Sequence, residues 1–142
     1  MSSTASFENE FRFVFFAPVE VFDATIAFYR DVLRFPILGG FGERAQEMRG
    51  IYVQAAKGVL EIIADPTDSE FKAKALQPGA RFVPAQGGYF LIEVENVDGL
   101  YERLRAEGAT LIQPITDWPW GFRDFKITDP CGNVLCLFSR RG

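Results

Sequence analysis

The chain of 142 residues carries the same succession of apolar segments twice, and this internal repeat constrains its fold more than any other feature. Each copy reads as a strand, a helix and then three strands. The segment VLEII at 59–63 aligns with VLCLF at 134–138 at an offset of about 75 residues, and the first strands align there within a residue or two. Neither copy can bury its own sheet, so both should pack into one α+β domain.

The first copy, 11–65, begins with a Phe-rich apolar run that is typical of a strand. Asp23 is predicted to cap the helix, in which apolar side chains recur at helical spacing. Lys57 and Gly58 are predicted to form the turn between the last two strands. The predicted elements are a strand at 11–17, a helix at 24–33 and strands at 36–38, 51–55 and 59–64.

The second copy, 89–139, repeats this order. Asn96 is predicted to cap its helix, and Gly108 to end the helix just beyond the last turn. The sequence DPCGN at 129–133 predicts the turn of the last hairpin, because Pro fixes one φ angle while Gly and Asn tolerate positive ones. The predicted elements are a strand at 89–95, a helix at 97–107 and strands at 110–115, 123–128 and 134–138.

The remaining segments and the charge limit the classes of partner. Residues 66–88 are predicted to form a linker, and residues 1–10 a disordered or loosely attached tail. The net charge of −4, without a basic run, argues against nucleic acid as a partner. No apolar segment predicts a membrane span or a secretory signal, and the two cysteines predict no disulfide framework. We therefore expect a cytoplasmic protein.

Both helices and the last hairpin resemble motifs of the vicinal-oxygen-chelate superfamily, which includes glyoxalase I, bleomycin-resistance proteins and dioxygenases. The helix motifs are IAFYRDVL at 26–33 and VDGLYERLRAEGA at 97–109. The segment PWGFRDF at 119–125, followed by DPCGN, resembles the closing hairpin of the bleomycin-resistance branch. The resemblance implies tandem βαβββ modules that form a curved mixed sheet within a single domain at 11–142.

The family's metal-dependent members hold their metal with His, Gln or Glu on the first and last strands of each half. The resemblance places these positions near Phe13 or Val14, at Glu61, at Tyr89 and at Cys136. Only Glu61 keeps a usual ligand type, and the chain contains no His at all. Transition-metal sites normally need imidazole or several thiolates, so we expect no metal and no cofactor.

The repeat also predicts where a ligand pocket would lie, because Glu61, Tyr89 and Cys136 occupy equivalent positions. We expect these side chains to face one cavity, with Trp118 and Trp120 at its rim. The structural alternative is that one of the two tryptophans closes the core, which we expect of Trp120 more than of Trp118. Strand alternation adds Glu93 beside Tyr89, and it puts Arg123 and Phe125 on the largely apolar face of their strand, opposite Asp124 and Lys126. We expect this apolar face to point inward. The predicted ligand-binding residues are Glu61, Tyr89, Glu93, Trp118, Trp120, Arg123 and Phe125.

Several of these side chains also have a purely structural explanation. An inward Arg123 needs a carboxylate such as Glu61 or Glu93, or an anionic ligand. A buried Glu61 needs a partner such as Arg123 or Arg12. Both explanations stay open at this stage, because the sequence does not say which groups meet.

Three functions are compatible with these observations. The missing metal ligands and the many aromatic side chains favour a metal-independent protein that binds a small molecule, such as a drug or natural product. The alternatives are a glyoxalase-like or dioxygenase-like enzyme, and a metal-free lyase or isomerase that uses Glu61 and Tyr89. We also expect a homodimer, since twofold symmetry is the commonest closed assembly and the chain is short for covering an open sheet.

Overall fold

The structure is a computed structural model that describes residues 11–42, 49–65 and 88–141. The predicted tail at 1–10 and nearly all of the predicted linker at 66–88 lie outside these described residues. The chain divides into two compact units, residues 1–82 and residues 83–142. No helix in the described ranges is long and apolar enough to cross a membrane.

The N-terminal unit is a four-stranded mixed sheet with the order β1-β4-β3-β2. Strand β1 runs parallel to β4, and the other neighbouring pairs are antiparallel. Helix α1 follows a short 3₁₀ turn and continues into a π-helical turn. The elements are β1 (Arg12–Pro18), the 3₁₀ turn (Val19–Val21), α1 (Phe22–Ala27), the π turn (Phe28–Val32), β2 (Ile37–Phe41), β3 (Gly50–Ala55) and β4 (Gly58–Asp65).

Tyr29 anchors the helical segment to one face of this sheet. Its fully buried ring meets the Phe15 ring of β1 at 6.5 Å between centroids and the Phe28 ring edge-on at 5.3 Å. The predicted helix start is wrong in one detail, because the N-cap is Val21 and no side chain caps it. Asp23 lies inside the first turn instead, where a negative charge still complements the helix dipole.

The C-terminal unit repeats this topology in a four-stranded sheet with the order β5-β8-β7-β6. Here β5 runs parallel to β8, and the other pairs are antiparallel. The tandem βαβββ organisation and the α+β class predicted from the repeat are therefore confirmed. The elements are β5 (Phe90–Glu93), α2 (Val97–Ala106), β6 (Leu111–Asp117), β7 (Phe122–Thr128) and β8 (Val134–Arg140).

Local signals at the ends of α2 and in the last hairpin form as predicted. The Asn96 side chain accepts a hydrogen bond from the Gly99 backbone N–H at 3.0 Å, and Gly108 adopts a φ of 81° just after the helix. In the hairpin turn, the buried Asp129 carboxylate accepts hydrogen bonds from the backbone N–H groups of Cys131 and Asn133. These contacts satisfy backbone donors that the strands cannot reach.

Candidate functional site

Within the described residues, α2 covers one face of the C-terminal sheet, and no helix covers the other face. Tyr101 of α2 packs on Phe125 of β7 with 5.1 Å between ring centroids, so Phe125 and Ile127 point toward the helix. Side chains alternate along a strand, so Asp124 and Lys126 point to the opposite side. We call this opposite side the helix-free face.

Asp124 is the centre of a hydrogen-bond network on the helix-free face. Its carboxylate is only 4% exposed, yet it accepts three hydrogen bonds. Oδ1 accepts from Gln113 Nε2 at 2.6 Å and from Trp118 Nε1 at 2.8 Å, and Oδ2 accepts from the Cys136 thiol at 3.3 Å. Because a buried carboxylate needs such donors, the network holds these three side chains in place.

Cys136 contributes a neutral thiol to this network. Burial, followed by its hydrogen bond to Asp124 and the Asp124 charge, raises the pKa of Cys136 to about 12. The sulfur therefore stays protonated at neutral pH and acts as a donor. A protonated thiol is neither a nucleophile nor a metal ligand.

Lys126 lies beside the network, with its ammonium above an aromatic ring. The ammonium donates to Gln113 Oε1 at 2.5 Å, lies 5.1 Å from the centroid of the Tyr89 ring and 6.0 Å from that of Trp118. Gln113 thus binds Lys126 through its oxygen and Asp124 through its nitrogen. Both contacts together fix the orientation of the Gln113 amide.

Trp118 and Trp120 stack on each other at the turn before β7. Their ring centroids are 4.9 Å apart and the ring planes differ by 10°. Trp118 is half-buried and anchored through its indole N–H to Asp124, whereas Trp120 is 63% exposed. The expectation that Trp120 closes the core is therefore wrong. The hydrogen bond to Asp124 selects Trp118 for the inner position.

Two of the predicted pocket residues do not share a face with Tyr89. Phe125 is fully buried against α2, and Arg123, on the same side of β7, binds Asp98 at 2.7 Å and Asp117 at 2.9 Å. Hydrogen bonds to Asp98 and then to Asp117 raise the pKa of Arg123. Arg123 thus has the carboxylate partners of the structural explanation, although they are neither Glu61 nor Glu93.

The helix-free face does include Tyr89, Glu93, Trp118 and Cys136, among the residues singled out in the sequence. Register places Leu91 beside Cys136 and Glu93 beside Phe138. Glu93 is exposed and accepts a hydrogen bond from Arg140 at 3.0 Å. Sequence reasoning missed Gln113, Asp124 and Lys126, although alternation in FRDFKIT already separated Asp124 and Lys126 from the apolar side of the strand.

Glu61 lies in the N-terminal unit, on the sheet face opposite α1. Its carboxylate forms an ion pair with Arg12 at 2.8 Å, and the Arg12 guanidinium lies 5.0 Å from the centroid of the Tyr52 ring. Arg12 is therefore the partner of Glu61, one of the two that the sequence suggested. Val14 pairs with Glu61 across β1 and β4, so it shares this face, whereas Phe13 lies on the helix side with Phe15.

These side chains do not fit the metal that the fold's metal-dependent members hold. The positions implied by the resemblance carry Val14, Glu61, Tyr89 and Cys136, with no imidazole and with a thiol that stays protonated. Across the described ranges, no group of three or more His, Cys, Asp or Glu side chains is arranged to hold a metal ion.

Solved structures share this fold at low sequence identity. The lactoylglutathione lyase of Agrobacterium tumefaciens is 21% identical, with a TM-score of 0.64 over 93% of both chains. TioX of Micromonospora sp. ML1 is 19% identical, with a TM-score of 0.63 over 92% of this chain and 98% of TioX. A putative glyoxalase family protein of Bacillus anthracis is 16% identical, with a TM-score of 0.67 over 94% of this chain and 96% of that protein.

No curated protein sequence matches the chain. The family model described as Glyoxalase/Bleomycin resistance protein/Dioxygenase superfamily matches residues 13–137, which include nearly all of both βαβββ units. With the shared fold, this match shows that the chain belongs to the Glyoxalase/Bleomycin resistance protein/Dioxygenase superfamily.

Proposed function

We propose that the chain is a metal-independent small-molecule-binding protein of the bleomycin-resistance-like kind. Its ligand would be a planar aromatic compound bound at the helix-free face of the C-terminal unit. The observation that carries this proposal is the Trp118–Trp120 stack, in which Trp118 is anchored to Asp124 and Trp120 is 63% exposed. An exposed ring held by a rigid neighbour is a preorganised stacking surface.

Further aromatic surface lies on the same face. The Tyr89 ring is 52% exposed and is oriented by the Lys126 ammonium above it. Pockets for small molecules combine aromatic walls with a few well-placed polar groups, and Lys126 and Gln113 supply such groups here. Leaving the two large rings of Tyr89 and Trp120 open to water would otherwise lower the solubility of the protein without any structural gain.

A catalytic role has less support from the local contacts. The Glu61 carboxylate is engaged by Arg12, and the Cys136 thiol donates to Asp124, so both side chains have structural partners. The similarity to the lactoylglutathione lyase of Agrobacterium tumefaciens supports an enzyme only through fold analogy, and one fold hosts many functions. We therefore place binding ahead of the glyoxalase, dioxygenase, lyase and isomerase alternatives.

The test is a thermal-shift screen of planar heteroaromatic compounds, followed by titration of the hits against intrinsic tryptophan fluorescence. The chain has only Trp118 and Trp120, so quenching reports directly on the proposed surface. We expect Trp120→Ala to weaken binding about tenfold, which corresponds to about 1.4 kcal/mol. Phe11→Ala, which truncates an exposed aromatic of the N-terminal unit, is the matched control and should leave affinity unchanged.

Two results would contradict the proposal. One is a negative ligand test, in which no hit quenches the tryptophans or the hits bind Trp120→Ala as tightly as the wild-type chain. The other is a stoichiometric transition metal in protein purified without chelators, which would favour an enzyme of the glyoxalase or dioxygenase type.

A further inference from the structure

The two units place a cation above a tyrosine ring at equivalent positions, but with the two side chains exchanged. In the N-terminal unit, the guanidinium of Arg12, on β1, lies over the ring of Tyr52, on β3, 5.0 Å from the ring centroid. In the C-terminal unit, Lys126 of β7 lies over Tyr89, 5.1 Å from the ring centroid. Tyr52 pairs with Glu61 across β3 and β4, and Lys126 pairs with Cys136 across β7 and β8. Because the repeat aligns Glu61 with Cys136, Tyr52 and Lys126 occupy equivalent positions.

Among the described residues, only the N-terminal pair has a carboxylate of its own. The Glu61 carboxylate lies 2.8 Å from the Arg12 guanidinium and balances its positive charge. The repeat puts Cys136 at the position of Glu61, and the Cys136 thiol is neutral at physiological pH. The C-terminal pair thus keeps the cation and the ring but lacks the charge that balances them in the first copy.

Asp124, two residues before Lys126 on the same strand, does not replace this carboxylate. Asp124 accepts hydrogen bonds from Gln113, Trp118 and Cys136, and none of the ion pairs among the described residues includes Lys126. Gln113 accepts one of the three ammonium hydrogens. Because Gln113 also donates to Asp124, its oxygen is polarised and its position fixed, so the ammonium is held ready for a further acceptor.

We propose that Lys126 is the anion-binding group of the helix-free face, and that the ligand class is a planar aromatic carboxylate. The ligand carboxylate would take the role at Lys126 that Glu61 has at Arg12, while its ring rests on the exposed rings of Tyr89 and Trp120. This inference rests on the proposed function, since it names the chemical class of the same ligand. It also explains why an ammonium group lies among aromatic side chains.

The test compares 2-naphthoate with its neutral analogue 2-naphthamide by isothermal titration calorimetry at pH 7.5 in low salt. Both carry the same ring, so only the charge of the substituent differs. We expect the wild-type chain to bind 2-naphthoate about tenfold more tightly, as one charge-assisted hydrogen bond would give. Lys126→Gln should abolish this preference while leaving the affinity for 2-naphthamide within about twofold.

Lys57→Gln is the matched control. It removes one positive charge from a turn of the N-terminal unit, so its net charge equals that of Lys126→Gln. It should keep the tenfold preference. Circular dichroism checks folding, and Lys126→Met, which keeps the aliphatic stem above Tyr89, replaces Lys126→Gln if that variant does not fold.

The outcomes separate the two proposals. If both compounds bind the wild-type chain equally, or if the preference survives in the folded Lys126 variant, the anion site is refuted and the aromatic binding surface stands. If neither compound binds the wild-type chain, the proposed function fails at this surface and the anion site fails with it. A role of Lys126 in balancing Asp124 alone would lower the stability of Lys126→Gln without changing the preference.

Discussion

Replacing Asp124 by Ala tests whether the network on the helix-free face supports the C-terminal unit. The substitution removes the acceptor of Gln113, Trp118 and Cys136 at once. Donors that lose a buried acceptor cost about 1–3 kcal/mol each. Gln113 and Trp118 are only half-buried, so water can replace part of the loss and the lower value applies to each of them.

The thiol of Cys136 is a weak donor and adds little, and the substitution removes the desolvation cost of a buried charge. We therefore expect Asp124→Ala to lower the free energy of unfolding by about 2 kcal/mol. Asp124→Asn keeps an oxygen for Gln113 and Trp118 and turns charge-assisted hydrogen bonds into neutral ones, so it should cost about 1 kcal/mol. Glu102→Ala, on the exposed side of α2, should change stability by less than about 0.5 kcal/mol.

Urea unfolding followed by tryptophan fluorescence and by circular dichroism measures these differences. Both tryptophans lie in the C-terminal unit, so the fluorescence transition reports on that unit. The reasoning would be refuted if Asp124→Ala were as stable as the wild-type chain. It would also be refuted if Asp124→Asn lost as much free energy of unfolding as Asp124→Ala. The slope of the transition should stay constant, since a changed slope indicates a different unfolded or native ensemble.

Three further predictions follow from the structure and sequence. At pH 8, iodoacetamide should modify the half-exposed Cys131 and spare the buried Cys136. Because the pKa of Cys136 is raised to about 12, its contribution to stability should be full below about pH 9 and be lost as the pH rises toward 12, so urea titrations over this range should find a smaller decline in Cys136→Ser than in the wild-type chain. Gly108→Ala should cost about 1 kcal/mol by thermal unfolding, since φ is 81° while the space around it is open. Light scattering at micromolar concentration should show a homodimer, and a monomer would contradict that expectation.

Much of the secondary structure could be predicted because its causes are local. Asn96 caps α2 through a contact only three residues away, and Gly108 ends the helix through its own φ angle. The βαβββ order follows from apolar periods that the repeat displays twice. The start of α1 was misplaced because Asp23 has the chemistry of a cap but lies two residues inside, where Val21 already takes the N-cap position.

The candidate site was harder to predict because alternation tells which side chains share a face but not which face meets the helix. The sequence separated Arg123 and Phe125 from Asp124 and Lys126 correctly, and the apolar set was then assigned to the pocket. In the structure that apolar set meets α2, through Phe125 and Tyr101. A sheet covered by a helix on one side gives its most apolar face to the helix, so polar side chains remain for the open face.

The sequence by itself determined the tandem βαβββ order, the helix caps of the second copy, the last turn and the absence of histidine ligands. These depend on residue types and on contacts a few positions apart. Tertiary structure alone decided that Gln113, Trp118 and Cys136 converge on Asp124, and that Lys126 lies over Tyr89. Those contacts join side chains from different strands, and their partners are selected by strand register and by burial, which no single segment encodes.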